Sequence, residues 1–455
     1  MLSASHTLAD GVSILNICVV GLWHLGSVTS ACLAANKHKV VGVDDNTDTV
    51  KKLQQGEPPI YEPGLKELIQ KGLQEKILSF TENTGVLKDA EVVWITYDTP
   101  VDNDDQADVQ FVIQSIKDLF PDLSDGTSVL ISSQIPLGTT RDLEQAYQSV
   151  FPQKKVSFSY SPENLRLGTA IDRFCHPERV VVGLRDDAAR NRLAALFSTF
   201  TDHIEWMSVE SAEMTKHALN GFLATSISFA NEIAAVCECT GADALEVAAG
   251  LKSDKRIGPY AYLEPGAAFG GGTLARDIQF LSQKAEELSQ RVPLIFSVRK
   301  SNNAHKQWVQ NKLLSVCKSL RGCHVAVWGL TYKPGTDTLR RSEAIELCKW
   351  LSLQGAAVHA HDPAVKTLPE DLKSNINLYT SALDTLKDAE VVVIATSWPE
   401  YRSIDVENIV ATRDQLIVID PNRFLANTFE ADDRVCYMAV GKGYEENSIR
   451  SCQGT

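Results

Sequence analysis

The sequence lacks several things at once. No apolar run in it approaches the roughly 20 residues that cross a membrane. Its first stretch, Met1 to Ser13, is polar and has no signal-peptide core. Cations are in deficit, with 44 Lys and Arg against 58 Asp and Glu and a formal charge of −14. That balance argues against non-specific nucleic-acid binding. A phosphate-bearing ligand can still be received by local cations and helix N-termini. The ten cysteines are scattered, and Cys237 with Cys239 makes one C-x-C that has no partner pair nearby. Neither a zinc site nor a disulfide framework is expected from that spacing. The expectation is a cytoplasmic protein with reduced, mostly buried thiols, no metal, no membrane contact and no nucleic-acid partner.

What is present is ordinary globular material, 44% hydrophobic and 22% charged. A chain of 455 residues exceeds one core and predicts two or three domains. Leu15 to Val20 reads as a strand buried on both faces. Gly21-Leu22-Trp23-His24-Leu25-Gly26 and a helical pattern follow, and then a strand from Lys39 to Val43 ending at Asp44. This is the order of a dinucleotide-binding unit. Asp44 stands 23 residues after Gly21, where a carboxylate can bind a ribose diol and favour NAD over NADP. The glycine signature is damaged, because Trp23 takes the place of the glycine that lets the backbone approach a pyrophosphate.

Further strands are expected at Ala90 to Thr96, Ser128 to Ser132, Lys155 to Tyr160 and Arg179 to Gly183, the last closing the series. In open α/β sheets ligands sit beyond the carboxyl ends of the strands. Asp44, Thr99, Gln134 and Glu163 all fall there. Ser208 to Cys239 reads as one long helix carrying Lys216 and Asn220 on one face. A shorter helix over Gly241 to Leu251 follows, and Pro293 to Leu320 reads as a single connecting helix. Between them lies a glycine-rich segment, Pro265 to Asp277, with Arg256 before it and Arg276 at its end. Such glycines let a backbone lie against a ligand. After Gly322 the α/β pattern restarts, with strands ending at Trp328, Ala360, Ala395 and Ile419.

These features give an α/β fold class: two Rossmann-like doubly wound domains joined by a long helical region, which the resemblance described below makes a dimerisation region. The expected divisions are a flexible extension over 1–14, an NAD-binding domain over 15–207, a central helical region over 208–320 and a second Rossmann-like domain over 321–455. A ligand held between two such lobes is the natural expectation.

From Ile17 to about Gly443 the chain resembles the nucleotide-sugar 6-dehydrogenases, the UDP-glucose and GDP-mannose dehydrogenase family. The resemblance rests on ordered segments along the chain. They include Val41-Gly42-Val43-Asp44, Ile60-Tyr61-Glu62-Pro63-Gly64-Leu65, Thr99-Pro100, Pro162-Glu163, Lys216 with Asn220, Asn231-Glu232 and Arg256-Ile257-Gly258. Pro265-Gly266, Phe269-Gly270-Gly271, Asp277, Tyr332-Lys333-Pro334, Arg340 and Asp362-Pro363 continue it.

The resemblance implies an NAD-dependent oxidation of a sugar C6 alcohol to a carboxylate, a homodimer or higher homo-oligomer, and a place in polysaccharide biosynthesis. It implies that Lys216 and Asn220, with a bound water, stabilise oxyanionic intermediates. Asp277 would support that water, and Glu163 would act on the hydrolytic step. Gly21, Leu22, Gly26, Asp44, Thr99, Gln134, Arg276 and Arg340 would face NAD. Leu165, Phe269, Gly270 and Lys333 would meet the nucleotide sugar, with Arg256 entering from a neighbouring subunit.

The departures from the family pattern are specific. Thr273 stands where the family carries its nucleophilic cysteine. A threonine hydroxyl is far less acidic than a thiol, and no base is evident to activate it. Gln134 replaces a threonine, Thr49 a lysine and Leu167 a glutamate, while Asp420-Pro421-Asn422-Arg423 replaces an Asp-Gly-Arg motif that touches the nucleotide. Three readings follow. One is an oxidoreductase on a nucleotide sugar that avoids a thioester. Another is an epimerase that oxidises transiently with bound NAD. The third is a non-catalytic NAD- and nucleotide-sugar-binding homologue.

Overall fold

Short apolar runs become parallel strands in the computed structural model of the protein, which describes residues 14–100, 108–163, 165–270, 272–317, 319–410 and 416–443. Residues 1–13 of the expected extension and Gly271 of the glycine-rich segment lie outside the described residues. The chain divides into two compact units, Met1–Ala218 and Leu219–Thr455.

The first unit holds an eight-stranded sheet in the order β3-β2-β1-β4-β5-β6-β7-β8. Its strands are β1 Asn16–Val20, β2 Lys39–Val43, β3 Leu78–Thr81, β4 Val92–Ile95, β5 Ser128–Ile131, β6 Ser157–Tyr160, β7 Val180–Leu184 and β8 Ile204–Ser208. All neighbours pair parallel except β6 with β7, which meet antiparallel at Tyr160 and Gly183. Ile17 and Val19 of β1 enter one apolar cluster, and Cys18 and Val20 enter another. Alternate side chains therefore feed two cores, as expected of a sheet covered on both faces. The series does not close at Gly183 as the sequence reading expects. β8 adds a further strand, parallel to β7 through five residue pairs.

The second unit holds a six-stranded sheet in the order β11-β10-β9-β12-β13-β14. Its strands are β9 His324–Trp328, β10 Ala357–His361, β11 Asn377–Leu378, β12 Val391–Ile394, β13 Leu416–Ile419 and β14 Val435–Met438. Every pairing in it is parallel.

One helix, Val209–Thr240, runs through the boundary between the units. By length and composition alone it could cross a membrane. Its Glu213, Lys216, His217 and Asn220 are nevertheless buried and hydrogen-bonded to protein groups. Such groups are costly in hydrocarbon.

The expected single helix over Pro293 to Leu320 is two helices, Pro293–His305 and Trp308–Val316. At the break, His305 bonds the Gly266 carbonyl at 2.8 Å while Trp308 turns its indole N–H to Glu238 at 2.8 Å. These side-chain demands interrupt a helix that contains no internal proline or glycine to signal a stop.

Candidate functional site

Five strand-end features stand in a row along one edge of the first sheet. Because β2, β1, β4, β5 and β6 are adjacent and parallel, Asp44, the Gly21 turn, Thr99, Gln134 and Glu163 follow their carboxyl ends in order. The strand order reverses between β1 and β4, the point at which such sheets bind ligands.

The turn after β1 separates what the fold needs from what a ligand needs. Gly21 has φ +93°, and a Cβ there would come within 2.8 Å of the Tyr97 nitrogen. A Cβ on Gly26 would lie 1.8 Å from the Gly21 carbonyl oxygen. Both positions therefore require glycine for packing alone. The position between them is Trp23, the N-cap of helix His24–Ala35, and it is 49% exposed.

Leu22 N–H donates to Asp44 at 2.6 Å, and Asn46 N–H donates to its other oxygen at 2.9 Å. Burial raises the Asp44 pKa above the ordinary range, with these two N–H bonds opposing and Asp45 adding to the rise. The second sheet repeats this contact, since Leu330 N–H donates to Asp362 at 2.7 Å. There the Trp398 indole N–H covers the same carboxylate at 3.0 Å, and Asp362 is 3% exposed. Asp44 is only half-buried, so it keeps lone pairs for a ribose. The frame of the first unit fits a dinucleotide, with Trp23 at its rim.

Further along the edge, Thr99 donates its hydroxyl to the Gln134 carbonyl at 2.7 Å, which brings those two residues together. Lys216 Nζ donates to the Glu163 carbonyl at 2.6 Å and stands 3.7 Å from its carboxylate. The other Glu163 oxygen accepts from Leu165 N–H at 2.9 Å. Lys216, Glu163 and Leu165 thus form one group.

Two buried carboxylates not assigned a role from the sequence set the surrounding loops. Glu213, one turn before Lys216, accepts from Gly138 N–H at 2.6 Å and Thr140 N–H at 3.0 Å. It thereby holds the start of helix Thr139–Val150. Glu62 accepts from Gly168 N–H at 2.8 Å, Ala170 N–H at 2.9 Å and His24 Nε2 at 3.0 Å. Burial works to raise the Glu62 pKa, but these three donors outweigh it and hold the carboxyl below its ordinary range.

In the second unit, Asp277 is fully buried and accepts from the Asn220 side-chain amide. Asn220 lies one turn after Lys216 along the long helix. Thr273 is the first residue of helix Thr273–Glu287 and is exposed. Arg276 sits in the first turn of that helix, its N–H on the Gly272 carbonyl at 3.2 Å.

The segment before it is gripped through its backbone. Gly266 N–H donates to Asn231 at 3.0 Å, and the Gly266 carbonyl accepts from His305 Nε2 at 2.8 Å. Ala267 N–H donates to Asn422 at 2.9 Å. Asn302 bonds both the N–H and the carbonyl of Phe269 at 2.9 Å. Burial lowers the His305 pKa, with the Gly266 bond opposing, which favours the neutral ring with hydrogen on Nε2. The Phe269 side chain packs against a cluster of Ala224, Ile278 and Val298.

None of these four clamps was assigned a role from the sequence. Asn231 carried a legible signal: it follows Asn220 by eleven residues, three helical turns, and so shares its face. Arg423 turns away from this segment. It pairs with Asp243 at 3.0 Å and also donates to the Val440 carbonyl at 3.4 Å. Lys333, Gly335 and Arg340 lie on the exposed loop after β9. Arg256 is exposed and pairs with Asp254 at 2.7 Å. A cavity of about 450 Å³ opens beside the clamped segment, lined by Ala267, His305, Trp308, Leu347, Ala395 and Pro421. It lies at the carboxyl ends of β12 and β13, within the size range of small-molecule sites. Among the described residues, no group of three or more His, Cys, Asp and Glu is placed to hold a metal.

Profiles of one family match the chain in three successive parts. They are the NAD-binding domain over residues 15–201, the central domain over 210–304 and the UDP-binding domain over 326–427 of the UDP-glucose/GDP-mannose dehydrogenase family. The chain is 31% identical over 443 residues to a UDP-glucose 6-dehydrogenase of Pseudomonas aeruginosa, covering 94% of this chain and 98% of that one. It is 33% identical over 436 residues to UDP-glucose 6-dehydrogenase YwqF of Bacillus subtilis, with 94% and 98% covered. The solved structure of a UDP-glucose dehydrogenase from Pyrobaculum islandicum, 29% identical, matches with a TM-score of 0.84 over 96% of this chain and 100% of that one. The chain belongs to the UDP-glucose/GDP-mannose dehydrogenase family and is, by that kinship, an NAD-dependent oxidoreductase acting on CH–OH donors.

Proposed function

We propose that the protein oxidises the C6 alcohol of a nucleotide sugar, UDP-glucose or a relative, and does so without a covalent thioester. The observation that supports this is the survival of two hydrogen-bonded pairs, Lys216 with Glu163 and Asn220 with Asp277, in a chain whose Thr273 replaces the nucleophile.

Alcohol oxidation needs a proton taken from oxygen and a hydride taken from carbon. The Gly21–Gly26 turn and Asp44 would hold NAD, which would supply the hydride acceptor, with Thr99, Gln134, Arg276 and Arg340 assigned to it by family position. Lys216 serves the transfer of the alcohol proton, and Asn220 stabilises the oxygen as charge develops. Asp277 orients Asn220 and a water. Glu163 acts when that water adds to the aldehyde, so that the hydrate rather than a thioester is the form oxidised further. Thr273 hydrogen-bonds the sugar, while Leu165, Phe269, Gly270 and Lys333 hold the nucleotide sugar.

The working form is a cytoplasmic homodimer. Phe222, Phe229 and Val236 are exposed at seven-residue intervals on the long helix, the spacing of a helix-pairing face. Arg256, exposed at 89% of its side chain, is available to a neighbouring subunit.

The test is incubation with NAD⁺ and a panel of UDP- and GDP-sugars. Two NADH per sugar mark the acid, and one marks arrest at the aldehyde. No turnover on any sugar overturns the reading. Thr273→Cys asks whether thioester chemistry returns: a trapped acyl-enzyme means the remaining machinery is competent for it.

A second reading, a non-catalytic binding homologue, is favoured by one observation. The two glycines that the fold itself demands are retained, while the position that serves only pyrophosphate approach is Trp23. Calorimetry that finds sugar-nucleotide binding but no NAD binding would select it.

A further inference from the structure

Two thiols meet where the second sheet begins. Helix Trp308–Val316 ends at Cys317, whose N–H bonds the Leu313 carbonyl at 2.9 Å. The chain reverses, Cys323 N–H reaches the Leu320 carbonyl at 3.1 Å, and β9 starts at the next residue. This reversal brings the Sγ atoms of Cys317 and Cys323 to 3.5 Å, six residues apart in sequence. Both are free thiols. Closing to a disulfide, about 2.05 Å between sulfurs, requires a movement of roughly 1.5 Å.

The two thiols are unequal. Cys323 is 3% exposed, whereas Cys317 is half-buried and reachable from solvent. The hydrogen bond from Cys323 lowers the Cys317 thiol below its ordinary range, although burial and Glu390 oppose this. The same bond, burial and the Glu390 carboxylate push Cys323 up. An accessible, more acidic thiol beside a buried partner is the arrangement of an attacking and a resolving cysteine.

We propose that Cys317 and Cys323 form a reversible oxidation site that closes to an intramolecular disulfide when a hydroperoxide is the oxidant. The Cys317 thiolate attacks one peroxide oxygen, forming an S–O bond and breaking O–O. The departing hydroxide takes a proton and leaves as water. The Cys323 sulfur, losing its proton, then attacks the Cys317 sulfenic acid, forming S–S and releasing a second water. Two thiols and one hydrogen peroxide thus give one disulfide and two waters. The second step is fast because the partner is already in contact. A reducing thiol pool reverses it, so the bond is transient in a cytoplasmic setting.

The consequence reaches the cavity. The disulfide fastens the end of helix Trp308–Val316 to the residue before β9, and Trp308 at the other end of that helix lines the cavity beside Ala267 and Ala268. The proposal does not depend on the reaction assigned to the catalytic groups.

The experiment uses the full chain, treated with a small molar excess of hydrogen peroxide, alkylated and digested with trypsin. Lys318 and Arg321 lie between the two cysteines, so trypsin separates them. A disulfide then appears as two peptides joined and is lost on reduction. The expected result is a joined pair at peroxide levels that leave Cys239, an exposed cysteine, fully alkylated. Cys317→Ser abolishes the joined pair. Cys323→Ser diverts Cys317 to sulfinic acid, because no resolving thiol remains. The proposal is overturned if Cys317 is oxidised no faster than Cys239, if it links to a different cysteine, or if wild-type and Cys323→Ser proteins over-oxidise Cys317 alike.

Discussion

Replacing Glu62 with alanine strips the acceptor from two backbone N–H groups, that of the exposed Gly168 and that of the buried Ala170, and the partner from His24. A hydrogen bond to a charged group contributes roughly 1.5–3 kcal/mol, and nothing replaces this carboxylate, which is 3% exposed. Glu62→Ala should therefore destabilise the first unit by about 3–5 kcal/mol. Glu62→Gln keeps one acceptor oxygen but turns an NH₂ toward the other donors, for a loss of about 2 kcal/mol. The pH dependence follows from the lowered pKa. A depressed carboxylate adds stability that is fully present above the ordinary glutamate value of 4.5 and fades as pH falls through the folded value. The gap between wild type and Glu62→Gln should be constant from neutral pH down to about 5, then narrow below about 4.5. Urea unfolding followed by tryptophan fluorescence at a series of pH values reads both effects. An alanine penalty under about 0.5 kcal/mol, or a gap that does not narrow in acid, would refute the reasoning.

Other outcomes are expected as well. Gly26→Ala should leave the first unit unfolded or insoluble, since its Cβ would fall 1.8 Å from the Gly21 oxygen, whereas Trp23→Gly should tighten NAD binding by calorimetry; an unchanged Kd would place the indole away from the pyrophosphate. Lys216→Ala should lower turnover by about 10²–10⁴-fold with NAD affinity retained, and a smaller loss would remove Lys216 from proton transfer. Asn302→Ala frees the N–H and carbonyl of Phe269; a sugar-nucleotide KM that does not rise would deny the clamp a role in binding. Phe222→Glu combined with Phe229→Glu should convert a dimer to a monomer in light scattering, and an unchanged mass would move the interface elsewhere.

The strand-end residues were legible because buried parallel strands announce themselves as apolar runs. Asp44, Thr99, Gln134 and Glu163 needed no more than the end of each run to be singled out. β3 and β8 were harder. Leu78–Thr81 alternates buried and exposed residues over only four positions, and most of Ile204–Ser208 is half-buried at the sheet edge. The break at Lys306 and Gln307 has no local cause at all, since it follows from where His305 and Trp308 must point. The clamps escaped for a related reason. Asn302 and His305 read as ordinary polar helix residues, and Asn422 only as part of a changed motif, until the fold brings them to a backbone 33 to 155 residues away. Glu62 and Glu213 likewise act on loops 106 and 75 residues distant. Pattern reports local periodicity and says little about which distant amide a carboxylate will meet.

The hydrogen bonds that grip residues 266–269 are all made to main-chain atoms, with the Phe269 side chain adding apolar packing. Asn231, His305, Asn422 and Asn302 hold N–H and carbonyl groups that every amino acid except proline possesses. The shape of the segment is thus indifferent to most of the side chains it presents. A lineage can exchange one residue beside this mount, such as Thr273 at the head of the following helix, without rebuilding the socket around it. Architecture and reactivity are then free to drift at different rates, and a change of chemistry becomes a small evolutionary step.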